Sequence, residues 1–290
     1  MFLALVRAAR PHQWIKNAFV AAPLVFALRI YDVGSVLRTL AAVACFCVLS
    51  SAVYLLNDLA DVEKDRAHPT KRNRPIASGA LSVPAARVAL ATLALFALLG
   101  SMLIAWNLMF VAAAYFILNI AYTFGLKRVP FIDVGCISLG FLLRVLAGTY
   151  AIGVPASPWL LICTGLLSSL LGFGKRAHEL RLAGAGKGKQ RDVLERYHPG
   201  ILRALMALLA IATVAAYSLY TQSAHAVSLF HTRGLALTVP CAVFGIVRFV
   251  WLTFNRQDAE SPTDSMLRDR VFLANLLVYA AAVAVILYWA

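Results

Sequence analysis

Apolar runs of membrane-spanning length recur along this chain and leave little sequence for anything else. An α-helix crosses a bilayer with roughly 17–25 apolar residues. Runs of that order lie at Trp14–Ile30, Val36–Asn57, Pro84–Ala105, Leu108–Phe124, Phe131–Ile152, Pro158–Phe173, Pro199–Thr221, Leu235–Asn255 and Val271–Trp289. Several are short, and the first and sixth are the weakest. No strand-like alternation and no extramembrane domain separates them. The 290 residues are 61% hydrophobic and 14% charged, which a soluble domain does not match. The expected fold class is all-α, a multi-pass transmembrane helical bundle of about nine spans. Residues 1–290 are expected to form a single integral-membrane domain.

Charge sorts the loops into two sets. One carries Lys64, Arg66, Lys71, Arg72 and Arg74, then Lys127 and Arg128. It continues with Lys175, Arg176, Arg181, Lys187, Lys189, Arg191 and Arg196, then Arg256, Arg268 and Arg270. The other set holds Arg29, Arg38, Arg233 and little else. Basic loops stay in the cytoplasm, so nine spans place the N-terminus inside and the C-terminus outside. The expected location is a bacterial cytoplasmic membrane, with the acidic cluster described next on the cytoplasmic side. The net charge of +14 sits in these loops. It speaks for orientation in a lipid bilayer and for anionic substrates, not for nucleic acid. Cys45, Cys47, Cys136, Cys163 and Cys241 lie in apolar runs without metal-ligand spacing to histidine. They read as small packing residues. The N-terminus, an amphipathic piece with Arg7 and Arg10, lacks the layout of a cleaved signal peptide.

Only 13 Asp and Glu occur in the chain, yet four fall between positions 58 and 65. Asp58, Asp61 and Asp65 are spaced three and then four apart, hence on one helix face. Like charges so placed repel and call for a compensating cation. A hard divalent ion such as Mg²⁺ suits carboxylate oxygens and completes its shell with substrate phosphates. Asn57 precedes the acids, and Lys71, Arg72 and Arg74 follow them. Pro69, Pro75 and Gly79 break the helix and let this basic arm fold back. A metal–diphosphate site needs that combination: carboxylates for the ion, and cationic side chains for oxygens the ion does not reach. The competing reading is a solvated loop of local salt bridges.

These residues carry a resemblance. Asn57, Asp58, Asp61 and Asp65 match NDxxDxxxD, the first Asp-rich motif of the UbiA-type intramembrane prenyltransferases. Arg10-Pro11-His12-Gln13-Trp14-Ile15-Lys16-Asn17 is similar to the RPxQWxKN opening of one branch, which includes decaprenyl-phosphate phosphoribosyltransferase. Segments 65–72, 74–79, 122–127, 140–144, 175–180 and 267–270 are similar to that branch as well. The resemblance covers essentially the whole chain. It implies a UbiA-like all-helical bundle whose cavity opens to the cytoplasm and sideways to lipid. It also implies a reaction that joins phosphoribosyl pyrophosphate to a polyprenyl phosphate and releases pyrophosphate. In the family the product feeds arabinose donors for cell-envelope glycans.

Aromatic prenyltransferases of this superfamily carry a second Asp-rich motif in a later cytoplasmic loop. Here the corresponding segment, 174–196, sets Lys175, Arg176, His178 and Arg181 around Glu179, with Asp192 and Glu195 further off. That is a poor second metal cage and a good phosphate receptor. Lys187 and Lys189 are assigned to membrane orientation.

The expected site follows. Asp58, Asp61 and Asp65 are the catalytic residues, and with Asn57 they hold Mg²⁺ and the diphosphate of the donor. Lys71, Arg72 and Arg74 take the remaining phosphate oxygens. Lys16, Arg144, Lys175 and Arg176 are candidates for the lipid phosphate or the ribose 5-phosphate. Asn17, Tyr122, Lys127 and Glu179 complete the substrate-binding set. Arg144 stands mid-span without an acid beside it in sequence, a costly position in lipid. Asp133, near the start of the same span, reads equally as functional or as half of a helix–helix pair. Asn119 reads equally as cavity lining or as a helix–helix hydrogen bond. The partners are phosphoribosyl pyrophosphate, polyprenyl phosphate and the bilayer, and the chain is compatible with a homo-oligomer. Two alternatives compete. An aromatic prenyltransferase predicts a second Asp-rich loop, which is missing. A transporter or flippase favours midplane charges and paired repeats, whereas the acids crowd at one face.

Overall fold

Long apolar runs have one stable form in lipid, a helix that satisfies its own backbone hydrogen bonds. The computed structural model describes residues 2–184, 194–255 and 262–289. Lys187, Lys189, Arg191, Asp192 and Arg256, named above, lie outside the described residues. Eight helices among the described residues are long and apolar enough to cross a membrane. They are α3 (Val33–Ala60), α5 (Val83–Ile104), α6 (Trp106–Phe124), α7 (Ile132–Ile152), α8 (Pro158–Gly184), α9 (Pro199–Gln222), the segment Gly234–Asn255 and α13 (Arg270–Tyr288). The segment Gly234–Asn255 opens with a 3₁₀ turn, Gly234–Thr238, and continues as α11 (Val239–Asn255). Shorter helices are α1 (Phe2–Ala9), α2 (Ala22–Phe26), α4 (Val62–Arg66), α10 (Ala224–Phe230) and α12 (Pro262–Arg268). No strand occurs among the described residues.

The first expected span is corrected. Trp14–Ile30 does not form one long α-helix: Pro11–Ala21 is a 3₁₀ helix followed by the five residues of α2. The tighter helix rises about 2.0 Å per residue, so this stretch still reaches roughly 30 Å. Its form depends on packing. A Cβ at Gly148 in α7 would sit 1.9 Å from the Val20 carbonyl oxygen, so only glycine admits this backbone approach. Asn17 is buried on the same 3₁₀ segment and donates to Ser50 Oγ of α3 at 3.3 Å. The sixth expected span, judged weak, is a 27-residue helix, α8.

The chain divides into two compact units: Met1–Lys127 with Leu139–Ala156, and Arg128–Ser138 with Ser157–Ala290. In the first, α3 packs against α5 and the 3₁₀ segment, around Phe46, Leu49, Val53, Leu108, Ala112 and Ala147. In the second, α8 packs against α9, and α11 against α13, with a core of Leu170, Leu202, Met206 and Phe249. Small residues again permit close approach, since a Cβ at Gly174 would lie 2.5 Å from the Phe249 ring. Leu103, Leu208 and Leu277 face outward and remain exposed. Long apolar helices with apolar exteriors describe a multi-pass membrane protein.

Candidate active site

Asp58 lies in the last turn of α3. At Asp61 the backbone leaves helical geometry for one residue (φ −103°, ψ 11°). The ladder nevertheless continues: Asp61 N–H donates to Asn57 O at 3.0 Å and Asp65 N–H to Asp61 O at 2.8 Å. The three carboxylates therefore stay on successive turns, as their spacing requires.

The basic arm folds back on them. Pro75 restricts the preceding residue to extended backbone, and Arg74 adopts it (φ −62°, ψ 145°). Arg74 Nη1 then reaches Asp65 Oδ2 at 2.7 Å and Asp58 Oδ1 at 3.1 Å. Arg72 is exposed and Lys71 half-buried on the 3₁₀ turn Lys71–Asn73 just before it. Lys127 Nζ holds both oxygens of Asp61, at 3.0 and 2.9 Å. Asn57 Oδ1 accepts from Thr123 Oγ1 of α6 at 2.6 Å, and Tyr122 beside it is half-buried.

Arg10 joins this cluster although the expected site omitted it. Its Nη2 meets Asp58 Oδ1 at 2.5 Å, and its guanidinium lies 5.0 Å from the centre of the Tyr54 ring. The only signal in the sequence is its place at the head of the 10–17 segment.

Arg144 is buried in α7 and finds neutral partners. It donates from Nε to Asn17 Oδ1 at 2.8 Å, from Nη1 to Gly140 O at 2.9 Å and from Nη2 to the Tyr115 hydroxyl at 2.8 Å. Its guanidinium also lies 4.7 Å from the centre of the Tyr115 ring. Among the described residues no carboxylate is paired with it, so the charge is held by dipoles and ring faces alone. Lys16, one residue before Asn17, is half-buried.

In the second unit the expected phosphate receptor has a different arrangement. Arg176 is fully buried, with Nε 2.6 Å from Asp133 Oδ2 and Nη1 against Glu179 Oε2. Tyr197 donates to Asp133 Oδ1 at 2.6 Å and accepts from Phe131 N–H at 2.7 Å. Burial, reinforced by the bond to Asp133, pushes the Tyr197 phenol well above its usual pKa, so it remains a donor. His178 is buried and Lys175 half-buried on the same helix. Arg176 is thus paired with two carboxylates, the buried Asp133 and the 19% exposed Glu179. The run of cations in 174–181 did not disclose this, because Asp133 is remote in sequence.

Among the described residues no group of three or more His, Cys, Asp or Glu gathers as a cage. Asp58 and Asp65 meet at Arg74, and Asp61 meets Lys127. The donors are nevertheless hard oxygens, and Asp58 Oδ2 is buried with no hydrogen-bond partner, an acceptor that a cation would satisfy. That oxygen is the one point of the cluster that suits a hard cation such as Mg²⁺; Asp65 and Asp61 are taken up by Arg74 and Lys127.

Fold and site together define a class: an all-helical integral-membrane protein with a carboxylate cluster and paired cations at the end of a span. The UbiA prenyltransferase family model matches residues 18–277, and the chain belongs to that family. It is 36% identical over 295 residues to the decaprenyl-phosphate phosphoribosyltransferase of Mycolicibacterium smegmatis, covering 98% of this chain and 92% of that one. It is 35% identical over 285 residues to the protein of the same name from Mycobacterium tuberculosis, covering 96% of this chain and 92% of that one. Among solved structures, a UbiA homolog from Archaeoglobus fulgidus bound to GPP and Mg²⁺ matches with a TM-score of 0.74 at 17% identity. The match covers 98% of this chain and 99% of that one. That likeness concerns the fold.

Proposed function

We propose that this protein is a polyprenyl-phosphate phosphoribosyltransferase. It takes the 5-phosphoribosyl group from phosphoribosyl pyrophosphate and passes it to a decaprenyl-like phosphate, toward lipid-linked arabinose donors for envelope glycans. The observation that carries this reading is the likeness to curated decaprenyl-phosphate phosphoribosyltransferases over 98% of the chain. The pairing of acids and cations around Asp58 supports it.

Mg²⁺ held by Asn57, Asp58, Asp61 and Asp65 would neutralise charge on the diphosphate of the donor. Arg74 and Lys127 lie within reach of the same carboxylates and offer N–H groups to the leaving pyrophosphate, with Lys71 and Arg72 on its remaining oxygens. As the bond from C1 to pyrophosphate oxygen breaks, its electron pair leaves with pyrophosphate, and these cations stabilise the growing negative charge. A phosphate oxygen of the lipid forms the new bond to C1. The acceptor is already anionic, so no side chain has to remove a proton. Lys16, Arg144 and Lys175 are the candidates for the ribose 5-phosphate or the lipid phosphate, with Asn17 and Tyr122 as neutral contacts. Arg176 and Glu179 are assigned to the framework on account of the burial of Arg176.

Residues 1–290 are proposed to act as one integral-membrane domain, since the family match runs through both units. Loop charges support a cytoplasmic-membrane location with the site facing the cytoplasm. The test is to incubate purified protein with labelled phosphoribosyl pyrophosphate, decaprenyl phosphate and Mg²⁺. Labelled lipid is expected. No labelled lipid, with activity instead on a prenyl diphosphate and an aromatic acid, would overturn the reading.

A further inference from the structure

Arg10 is built into the cluster in a way that salt bridging alone does not require. Its backbone is left-handed (φ 52°, ψ 61°), a conformation that non-glycine residues rarely adopt, and it directly precedes Pro11. Both sides of this junction are tied to one residue of α3. Ser51 Oγ donates to Ala9 O at 3.2 Å, and Trp14 Nε1 donates to Ser51 Oγ at 3.0 Å. The clamp holds the chain in a shape that brings Arg10 to Asp58, with Tyr54 beneath the guanidinium.

The pairing at Asp58 is uneven. Oδ1 receives both Arg10 and Arg74, while Oδ2 is buried with no hydrogen-bond partner. The side chain of Asp58 is 2% exposed and that of Arg10 is 25% exposed. The guanidinium can thus change partners while the carboxylate stays in place.

We propose that Arg10 is a further substrate-binding residue: the counter-ion of Asp58 before the donor binds, and a ligand of the donor's diphosphate afterwards. The inference rests on the reading of the Asp cluster as a metal–diphosphate site. A divalent ion on Asp58 replaces the Coulomb partner of Arg10 and repels it. The diphosphate brought to that ion is the nearest new anion, and a guanidinium fork matches its oxygens. A cation that competes with the metal for Asp58 but cooperates with the diphosphate has an unusual signature. Its removal strengthens binding of the metal alone and weakens binding of the metal with diphosphate.

Isothermal titration calorimetry on the purified full chain reads both effects, with Mg²⁺ alone and with inorganic pyrophosphate at saturating Mg²⁺ as probes. Arg10→Asn is the main variant, because Asn tolerates left-handed backbone; Arg10→Lys is the conservative one. For Arg10→Asn the expected result is Mg²⁺ affinity higher than wild type, with pyrophosphate affinity at least tenfold lower. Arg10→Lys is expected to lie between the two. Unchanged pyrophosphate affinity overturns the inference. So does a parallel loss for both probes together with a lower melting temperature, since that marks a structural role. Wild-type protein that does not bind magnesium pyrophosphate overturns the underlying site reading as well, which separates the two failures.

Discussion

The cluster around Asp58 and the cluster around Arg176 are made of the same groups but differ in access. In the first, Asp58 and Asp65 are buried, yet their partner Arg74 is 30% exposed, and Asp61 is 31% exposed. In the second, Arg176 and Asp133 are both 0% exposed. An ion pair removed from water is held by its partners and costs dearly to break, whereas a pair with one reachable face exchanges partners with an incoming ion. We therefore propose that binding belongs to the first cluster; the second ties α7, α8 and the turn before α9 together.

Three substitutions probe this contrast. The largest effect is expected from Arg176→Met, which leaves Asp133 without its cation in a buried setting. Breaking a buried pair in this way costs about 3–5 kcal/mol. A large fall in melting temperature in detergent checks it, and a wild-type melting curve would break the comparison. Next is Asp61→Asn, which keeps shape and removes charge. It is expected to lower turnover by about 100-fold or more while leaving the melting temperature unchanged. The smallest is Tyr197→Phe, which removes the hydrogen bond to Asp133 and costs about 1–3 kcal/mol in stability. Because Tyr197 belongs to the framework, its effect belongs in the melting temperature, with turnover per folded molecule close to wild type.

Local features were legible in the sequence. Run length and composition are properties of contiguous residues, so α3, α5, α6, α7 and α9 were found nearly at their observed limits. The spacing of Asp58, Asp61 and Asp65 and the break at Pro75 foretold the return of Arg74, since both act through the adjacent backbone. What was missed depends on remote partners. The 3₁₀ form of Pro11–Ala21 is bound up with the approach of Val20 to Gly148 in another helix. The pairing of Arg176 with Asp133 is not legible in the sequence, because Asp133 lies on a different span. The role of Arg10 in the cluster is not legible in the sequence, because neither left-handed backbone nor a pairing across the fold leaves a mark in composition or period.

The central claim is that the reachable cluster is the donor site and the buried one is framework. Calorimetric titration of phosphoribosyl pyrophosphate with Mg²⁺ tests it, using wild type, Asp61→Asn and the charge-keeping Arg176→Lys, each taken as the folded fraction that its melting curve shows. Donor binding is predicted to weaken at least tenfold in Asp61→Asn and to stay near wild type in Arg176→Lys. Unchanged binding in Asp61→Asn, or selective loss in Arg176→Lys with an intact melting curve, would contradict the account.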